Sequence, residues 1–539
     1  MSKYIILENI SKGTYGETYK VEYNDVYFCK KVYITDDYQY GLTDDFIREV
    51  LLLNENSTSL NIHDLCIKAE KNDDIYIIID YYLYTLSDFI QNTNFTAKHL
   101  SYAQISNILP SLLYQLYNVH KIGFIHSDLK LDNILEKKGN ICICDWGLTE
   151  YYGYPKQIKK YQCSRYFKAP DQRISISVDL YSLGACIFYL LTGISGRYKN
   201  VLTLHDIEKK EFYLKRYLNT NEYNILKNLI SNENNRLSAK KILINNYNFI
   251  PIYVHNNFEQ IVKLFGNIQS NIVSDFYLYD YVFEFNENFY RVKIERYTYN
   301  DLLYSKKFEI EYLDDTFTHF YNTKIKYNIK YEFNKMSLMK FLKYYYLTCF
   351  SLQTLLLSIH IFNLIPEKIN LDKYKLSDII KIIINYSSKL IEDTTFNFKL
   401  NNMQLCEIID IDIIILNMFQ NKEVEFLPYT FYIYYYLTKI IQQYSEYYRN
   451  ELKNLESIVL SIFFITFIDL SYLTDITLHN LSINIVIDSI YFLKNSKFDN
   501  DNIITKSIFD NFKLIPNLYI NKIIVDSNLR TYLCNSLIK

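Results

Sequence analysis

The chain has 539 residues, too many for one ordinary domain, and 58 basic side chains balance 60 acidic ones. Two or three domains are therefore expected, and the balance argues against a nucleic-acid binder held by bulk charge. The longest apolar runs, such as residues 458–468, fall short of the roughly 18 residues of a membrane span. With no signal-peptide pattern and nine irregularly spaced Cys, we expect an intracellular protein with reduced thiols, in the cytoplasm or nucleus, without membrane or nucleic-acid partners.

Residues 4–35 predict three strands, and the first turn holds the two glycines of residues 13–16, Gly-Thr-Tyr-Gly. A backbone without Cβ atoms can close over phosphates and aim its N–H groups at them. Two glycines alone are a weak signal, and a plain hairpin turn is the alternative. Lys30 follows near the end of a strand, and strand alternation predicts that the adjacent Lys31 points to the other face.

Residues 41–53 predict a helix. Asp44 and Asp45 suit its N-terminus, and Phe46, Val50 and Leu53 recur at helical spacing. Glu49 lies on this helix, where it can face Lys30 and form an ion pair with it. Without Glu49, a solvated lysine at a strand end would be the better interpretation of Lys30.

Residues 126–135 form the most informative stretch, His-Ser-Asp-Leu-Lys-Leu-Asp-Asn-Ile-Leu. Asp128 is followed by Lys130 two residues later and by Asn133 five residues later. Asp145-Trp-Gly then follows an apolar run that predicts a buried strand. Further motifs appear in order around Asp171 in residues 164–171, around Asp179 in residues 179–184 and at Arg236.

Taken in order, these motifs resemble those of protein kinases over residues 1–252. The resemblance implies that Asp128 accepts the proton of a substrate hydroxyl and that Asn133 and Asp145 hold Mg²⁺. It implies that Lys30, paired with Glu49, contacts the phosphates of ATP, and that Lys130 contacts the γ-phosphate in transfer to Ser or Thr. Other expected nucleotide contacts are Ile10, Gly13, Thr14, Tyr15, Gly16, Thr18, Asp80 and Tyr82. The expected structural residues are Asp171, Asp179 and Arg236.

Two of these stretches narrow the resemblance to the cyclin-dependent kinases. The helix string Thr-x-x-x-Ile-Arg-Glu, which ends at Glu49, is similar to the signature helix of that family, and so is the glycine turn of residues 13–16. In that family Thr14 and Tyr15 would be inhibitory phosphorylation sites, because a phosphate there crowds those of ATP.

The catalytic loop departs from the family at Ser127, where most kinases have an Arg that binds a phosphorylated activation loop. Glu150 stands at another basic position of that site, and Lys159 stands where the activating threonine would fall, although Arg48 is retained. The phosphate acceptor and two of its three cationic partners are absent together. We therefore predict activity without phosphorylation of this loop.

The C-terminal half is predicted to be largely helical. Residues 350–362 place an apolar face at helical spacing, and residues 379–392 are apolar nearly all round. The string Ser-Ser-Lys-Leu-Ile-Glu at 387–392 resembles a cyclin box, and residues 458–493 resemble the second cyclin fold. The resemblance implies that Lys389, with Asp412 as partner, bonds the backbone just before the kinase signature helix. A generic helical bundle is the alternative.

The predicted fold class is an α+β bilobal protein kinase followed by an all-α pair of cyclin-box-like folds. We expect the kinase domain at 1–252, with lobes at 1–82 and 83–252, a connecting segment at 253–330, and cyclin-like folds at 331–430 and 431–539. The predicted function is a monomeric Ser/Thr kinase that uses ATP and Mg²⁺, acts on protein substrates and is activated by its own cyclin-like half. Two alternatives stay open: a pseudokinase scaffold that binds cell-cycle regulators, and a kinase whose C-terminal half docks substrates.

Overall fold

The structure is a computed structural model that describes part of the chain. Thr14, Tyr15, Lys159 and Ser164 lie outside the described residues, as does most of the predicted second cyclin-like fold. The described residues are 3–13, 16–33, 41–55, 60–66, 75–91, 102–137, 139–151, 166–171, 174–193, 201–250, 280–285, 288–293, 311–312, 314–319, 340–341, 344–345, 347–348, 350–369, 373–392, 395–400, 403–424, 431–444, 459, 479, 482–483, 485–486, 489 and 518–519.

An antiparallel five-stranded sheet forms the N-terminal lobe, in the order β1-β2-β3-β5-β4. Gly16 opens β2, where a Cβ would lie 1.9 Å from the carbonyl oxygen of Val32 on β3, so only glycine fits there. Helix α1 follows β3, and its residues 46–53 are all buried. The elements are β1 Ile5–Gly13, β2 Gly16–Tyr23, β3 Val26–Tyr33, α1 Asp44–Glu55, β4 Ile62–Cys66 and β5 Ile75–Asp80.

Helices dominate the second lobe. Helix α4 is its centre, because it is buried along almost its whole length. Ser175 precedes the helix as its N-cap, and the Ser175 hydroxyl accepts the backbone N–H of Ser177. The helices are α2 Asp88–Gln91, α3 Tyr102–Lys121, α4 Ile176–Thr192, α5 Leu204–Lys209, α6 Glu211–Leu214, α7 Thr220–Leu229 and α8 Ala239–Tyr247. The short strands are β6 Tyr84–Thr85, β7 Phe124–Ile125, β8 Ile134–Lys137, β9 Asn140–Ile143 and β10 Glu150–Tyr151.

One buried ion pair ties the region after the catalytic loop to the end of this lobe. Arg236 Nη1 lies 2.7 Å from an Asp171 carboxylate oxygen, and the guanidinium is fully buried. The same nitrogen donates to the carbonyl of Ser177 on α4. Two of the three residues assigned a structural role from the sequence, Asp171 and Arg236, therefore meet beside the first turn of α4.

The C-terminal half contains a β-hairpin and a group of helices. Helix α10 is buried from Asp378 to Ile391, in keeping with its apolar sequence, and packs against α9 and α11. The hairpin falls within the predicted connecting segment. The elements are β11 Asp280–Phe285, β12 Asn288–Lys293, α9 Leu352–Leu364, α10 Leu376–Ile391, α11 Leu405–Gln420, α12 Phe431–Tyr444 and β13 Leu518–Tyr519, which pairs with β11.

Helix α1 connects the two halves of the chain. It lies beside the N-terminal sheet and also packs against α10 and α11. Buried apolar side chains from all of these elements belong to one continuous core. Among the described helices, none is long and apolar enough to cross a membrane.

Candidate active site

The catalytic-loop stretch leaves β7 and is held from below by Asp179 on α4. One Asp179 oxygen accepts the backbone N–H of His126 at 2.8 Å, and the other accepts that of Ser127 at 2.9 Å. Ser127 has a φ of 69°, a left-handed backbone that non-glycine residues rarely adopt. The buried carboxylate therefore fixes a strained turn directly before Asp128.

Asp128 directly follows this turn and is only 5% exposed. Lys130 Nζ lies 2.6 Å from its Oδ2 atom. The Asn133 side-chain nitrogen donates to the backbone carbonyl of Asp128 at 3.0 Å, which leaves the amide oxygen of Asn133 as a potential metal ligand. The three predicted residues of this loop are therefore brought together.

A second charged group faces this loop from the N-terminal lobe. Lys31 Nζ lies 2.6 Å from Glu49 on α1 and 2.8 Å from Asp145. The hydroxyl of Tyr33 donates to the same Glu49 oxygen at 2.6 Å. Because Glu49 is 2% exposed, its ion pair with Lys31 is shielded from water and fixes α1 against β3.

The prediction that Lys30 pairs with Glu49 is wrong. Alternation along β3 does place the two lysines on opposite faces of the sheet, as expected. The lysine that faces Glu49, however, is Lys31. Lys31 shares its face with Tyr33 and points toward α1, whereas Lys30 Nζ lies 4.0 Å above the ring of Tyr76 on the other face. The sequence signal was Tyr33, a large residue two positions from Lys31 that needs a buried face.

The pKa values of the three groups reflect their mutual contact. Burial alone would lower the pKa of Lys31, but Asp145 and Glu49 offset burial and leave it above its ordinary value. Lys31 lowers the pKa of Asp145. Burial raises the pKa of Glu49, although Lys31 opposes that shift. An ionised Asp145 beside a cationic Lys31 suits a site for phosphates and a divalent cation.

The donor set fits Mg²⁺ and ATP. Asp145 keeps 41% of its side chain exposed, and it supplies the hard oxygen ligands that Mg²⁺ prefers, as does the amide of Asn133. Lys31 supplies a positive charge for phosphate oxygens. These residues would hold the cation and the phosphate chain of the nucleotide.

The predicted nucleotide-binding turn and hinge flank these groups. Gly13 pairs with Gly16 across the β1–β2 turn, and Ile10 is exposed on β1. The Asp80 side chain accepts hydrogen bonds from the backbone and side-chain nitrogens of Asn61 and lies 2.7 Å from His63 Nε2. Thr18 lies on β2, next to Lys31 in the register, and Tyr82 is half-buried after β5.

The predicted pair in the C-terminal half meets the kinase just before α1. Lys389 on α10 lies 3.1 Å from Asp412 on α11, and both are buried. The same Asp412 oxygen accepts the backbone N–H of Leu42 at 2.8 Å. Burial raises the pKa of Asp412, and Lys389 and the Leu42 N–H partly offset the shift.

Gly41 is fitted to this contact. Its φ is 94°, and a Cβ there would lie 2.1 Å from Asp412 Oδ2. Glycine is therefore required for two reasons, the left-handed backbone and the close approach of the carboxylate. Sequence reasoning missed this role, because the partner lies some 370 residues away along the chain.

Arg48 on α1 completes the contact. Its guanidinium donates to the carbonyl of Lys389 at 2.9 Å and to the carbonyl of Thr149 at 3.3 Å. It is 6% exposed, and burial lowers its pKa. One side chain thus links α10 to the residues that follow Asp145.

Comparisons with known proteins agree with this geometry for the first half of the chain. The family model of the protein kinase domain matches residues 4–248. A probable cyclin-dependent kinase 10 from Dictyostelium discoideum is 29% identical over 199 residues, which cover 35% of this chain and 53% of that protein. Cyclin-dependent kinase G1 from Arabidopsis thaliana is 25% identical over 201 residues, 34% of this chain and 32% of that protein.

Residues 4–248 are therefore a protein kinase domain. Its similarity to two cyclin-dependent kinases agrees with the predicted type of kinase. The aligned part spans about half of the first relative and about a third of the second.

The first prediction follows from the finding that Lys31, and not Lys30, pairs with Glu49. Lys31→Met should reduce phosphate transfer by about 100-fold or more, because it removes the cation at the phosphate site and leaves Glu49 buried without its ion-pair partner. Lys30→Met should change the rate little, since its ammonium lies over Tyr76. The measurement is transfer from labelled ATP to a generic basic protein. Strong loss in Lys30→Met with near-normal transfer in Lys31→Met would reverse the assignment.

Proposed function

We propose that the chain is a Ser/Thr protein kinase that its own helical half holds in the active arrangement without activation-loop phosphorylation. The main support is the position of α1. On one side its Glu49 is paired with Lys31, and on the other its N-terminal end is bonded by Asp412. Both contacts favour the same inward position of the helix.

Transfer depends on positioning and charge. Asp128 orients the substrate hydroxyl and accepts its proton, while Lys130, beside it, neutralises charge on the transferred phosphoryl group. Bound Mg²⁺ supplies charge neutralisation of the phosphate chain. Lys31 holds the phosphates, and Asn133 and Asp145 provide the oxygen ligands that fix the metal end of the nucleotide.

The helical half acts as a cyclin would in this proposal. Lys389 and Asp412 are the residues that the cyclin-box resemblance indicated. Asp412 accepts the backbone N–H of Leu42 just before α1, and Lys389 is paired with Asp412. Covalent attachment gives the helical half an effective concentration of roughly millimolar. The kinase would therefore need no separate activator, and we propose that it acts on protein substrates as a monomer.

The environment of Arg48 supports independence from phosphorylation. In the proposed arrangement this guanidinium is buried and bonded to two backbone carbonyls, from Lys389 and Thr149. The two carbonyls accept hydrogen bonds from guanidinium N–H groups that would otherwise be available to a phosphorylated loop residue. Contact with the helical half would thus replace the phosphate as the link between α1 and the start of the activation segment.

The catalytic assignment is tested with Asp128→Asn in the full-length chain. The substitution keeps the shape but removes the proton acceptor, so phosphate transfer should fall by about 100-fold or more. Binding of Mg-ATP should persist, and it is measured as the rise in Tm when the nucleotide is added. If the unmutated chain transfers phosphate no faster than the Asp128→Asn variant does, the pseudokinase scaffold is favoured.

Activation in cis is tested with Gly41→Ala, which places a methyl group against Asp412. Gly139→Ala is the matched control. Both variants introduce a Cβ at positive φ, which costs on the order of 1 kcal/mol. At Gly139, where φ is 85°, the added Cβ would have no atom within 4 Å. Gly41→Ala should reduce kcat by at least about tenfold because the helical half is displaced from α1. Gly139→Ala should retain kcat. Equal rates for the two variants would contradict the proposal.

Independence from loop phosphorylation is tested by treating the purified chain with a phosphatase. Activity should be unchanged, because Arg48 is already bonded to backbone carbonyls. Mass spectrometry establishes complete dephosphorylation, and a kinase known to need loop phosphate serves as the positive control. Loss of activity that returns after rephosphorylation would refute this part of the proposal.

A further inference from the structure

We propose that a segment of the chain, residues 311–312 and 314–319, positions the catalytic loop from the back of the kinase domain. It acts through Tyr312, His120 and Asp179. The catalytic consequence rests on the proposed kinase function, whereas the coupling to the loop stands on the contacts alone. This segment lies in the predicted connecting region, for which the sequence predicted no role. Its described residues are helical.

The segment is bound tightly to the kinase domain. Asp315 lies 2.6 Å from Lys240 Nζ, and both side chains are more than nine-tenths buried. The Tyr117 hydroxyl on α3 also donates to Asp315, at 3.4 Å. Lys240 further donates through its backbone N–H to the hydroxyl of Tyr312 at 3.1 Å. Charged groups removed from water in this way hold a fixed geometry, since an unpaired partner would be costly.

Tyr312 leads from this anchor to the catalytic loop. Its fully buried ring meets that of His120 edge-on, with 5.8 Å between the centroids and an angle of 89°. His120 Nε2 lies 2.9 Å from Asp179. Because a carboxylate only accepts, the proton of this bond belongs to His120. The same Asp179 oxygen accepts the N–H of His126, and its other oxygen accepts that of Ser127.

The geometry explains why the loop would respond to Tyr312. Ser127 has a left-handed backbone, so its turn persists only while Asp179 holds both N–H groups. Asp179 is itself oriented by His120, which is fully buried at the end of α3. Removing the Tyr312 ring would open a cavity beside His120 and let the imidazole rotate. The residue is therefore a positioning residue that acts through two others.

The segment is also bound to the helical half. Asp314 accepts a hydrogen bond from the Tyr435 hydroxyl at 2.9 Å and lies 2.8 Å from Lys439 Nζ, both on α12. The ring of Phe317 packs on that of Tyr435, with 4.2 Å between the centroids. Residues 311–319 thus connect α12 to the catalytic loop, along a route separate from that through α1.

The test compares Tyr312→Ala and Tyr312→Phe in the full-length chain. Phe keeps the ring against His120 and removes only the hydroxyl. Phe341→Ala is the matched control, because it also truncates a fully buried aromatic residue but one that packs on Phe362 in the helical half. If Tyr312→Ala fails to fold, Tyr312→Leu replaces it. All variants are compared at an equal interval below their own Tm.

The first readout is hydrogen exchange at the amides of His126 and Ser127, which needs no activity. Exchange should rise at least about tenfold in Tyr312→Ala and stay near the unmutated rate in Tyr312→Phe and Phe341→Ala. The second readout is phosphate transfer, where kcat should fall about tenfold while the KM for ATP stays within about twofold. Exchange that is unchanged in Tyr312→Ala, or equally raised in Phe341→Ala, would overturn the coupling. If the unmutated chain transfers no phosphate, the proposed function fails, and the exchange result still decides the coupling.

Discussion

The buried ion pair between Lys31 and Glu49 is the contact on which the arrangement of the site depends. It joins β3 of the sheet to α1, and through Asp145 it extends to the second lobe. Two charges taken out of water are stable only when their partners are well placed, and loss of one partner from such a pair costs about 3–5 kcal/mol. The position of α1 and the formation of the phosphate site are therefore one event.

This coupling makes α1 the natural point of control. A helix whose inner face carries Glu49 and whose N-terminal end meets Asp412 is sensitive to contacts on both sides. The contact at Gly41 requires close approach, so it forms only when the helical half is seated. In the proposed function, the surface of the attached helical half takes the place of a separate activator and of a phosphorylated loop.

Asp179 performs the corresponding task below the catalytic loop. It is buried, joins α3 to the loop through His120, and holds a left-handed turn next to Asp128. With α1 above and residues 311–319 behind, the helical half reaches the site along two routes. Both routes pass through buried charged groups, whose geometry is fixed because they cannot be solvated in any other position.

The sequence by itself determined the kinase domain and the order of its parts, because catalytic-loop chemistry needs particular residue types at short, fixed spacing. Asp128, Lys130 and Asn133 are local to one loop, and their grouping follows from the loop alone. Lys389 and Asp412 could also be picked out, since a family resemblance and helical spacing place both on facing helices.

Only the tertiary structure decided which lysine meets Glu49, because adjacent strand residues differ by half a turn and the register is set by pairing with β2 and β5. The same holds for Gly41, whose need for a bare Cα comes from a carboxylate on α11. Tyr312 reads in the sequence as one tyrosine among 56. Its contact with His120 exists because the chain returns across the back of the kinase domain, and no local pattern encodes that return.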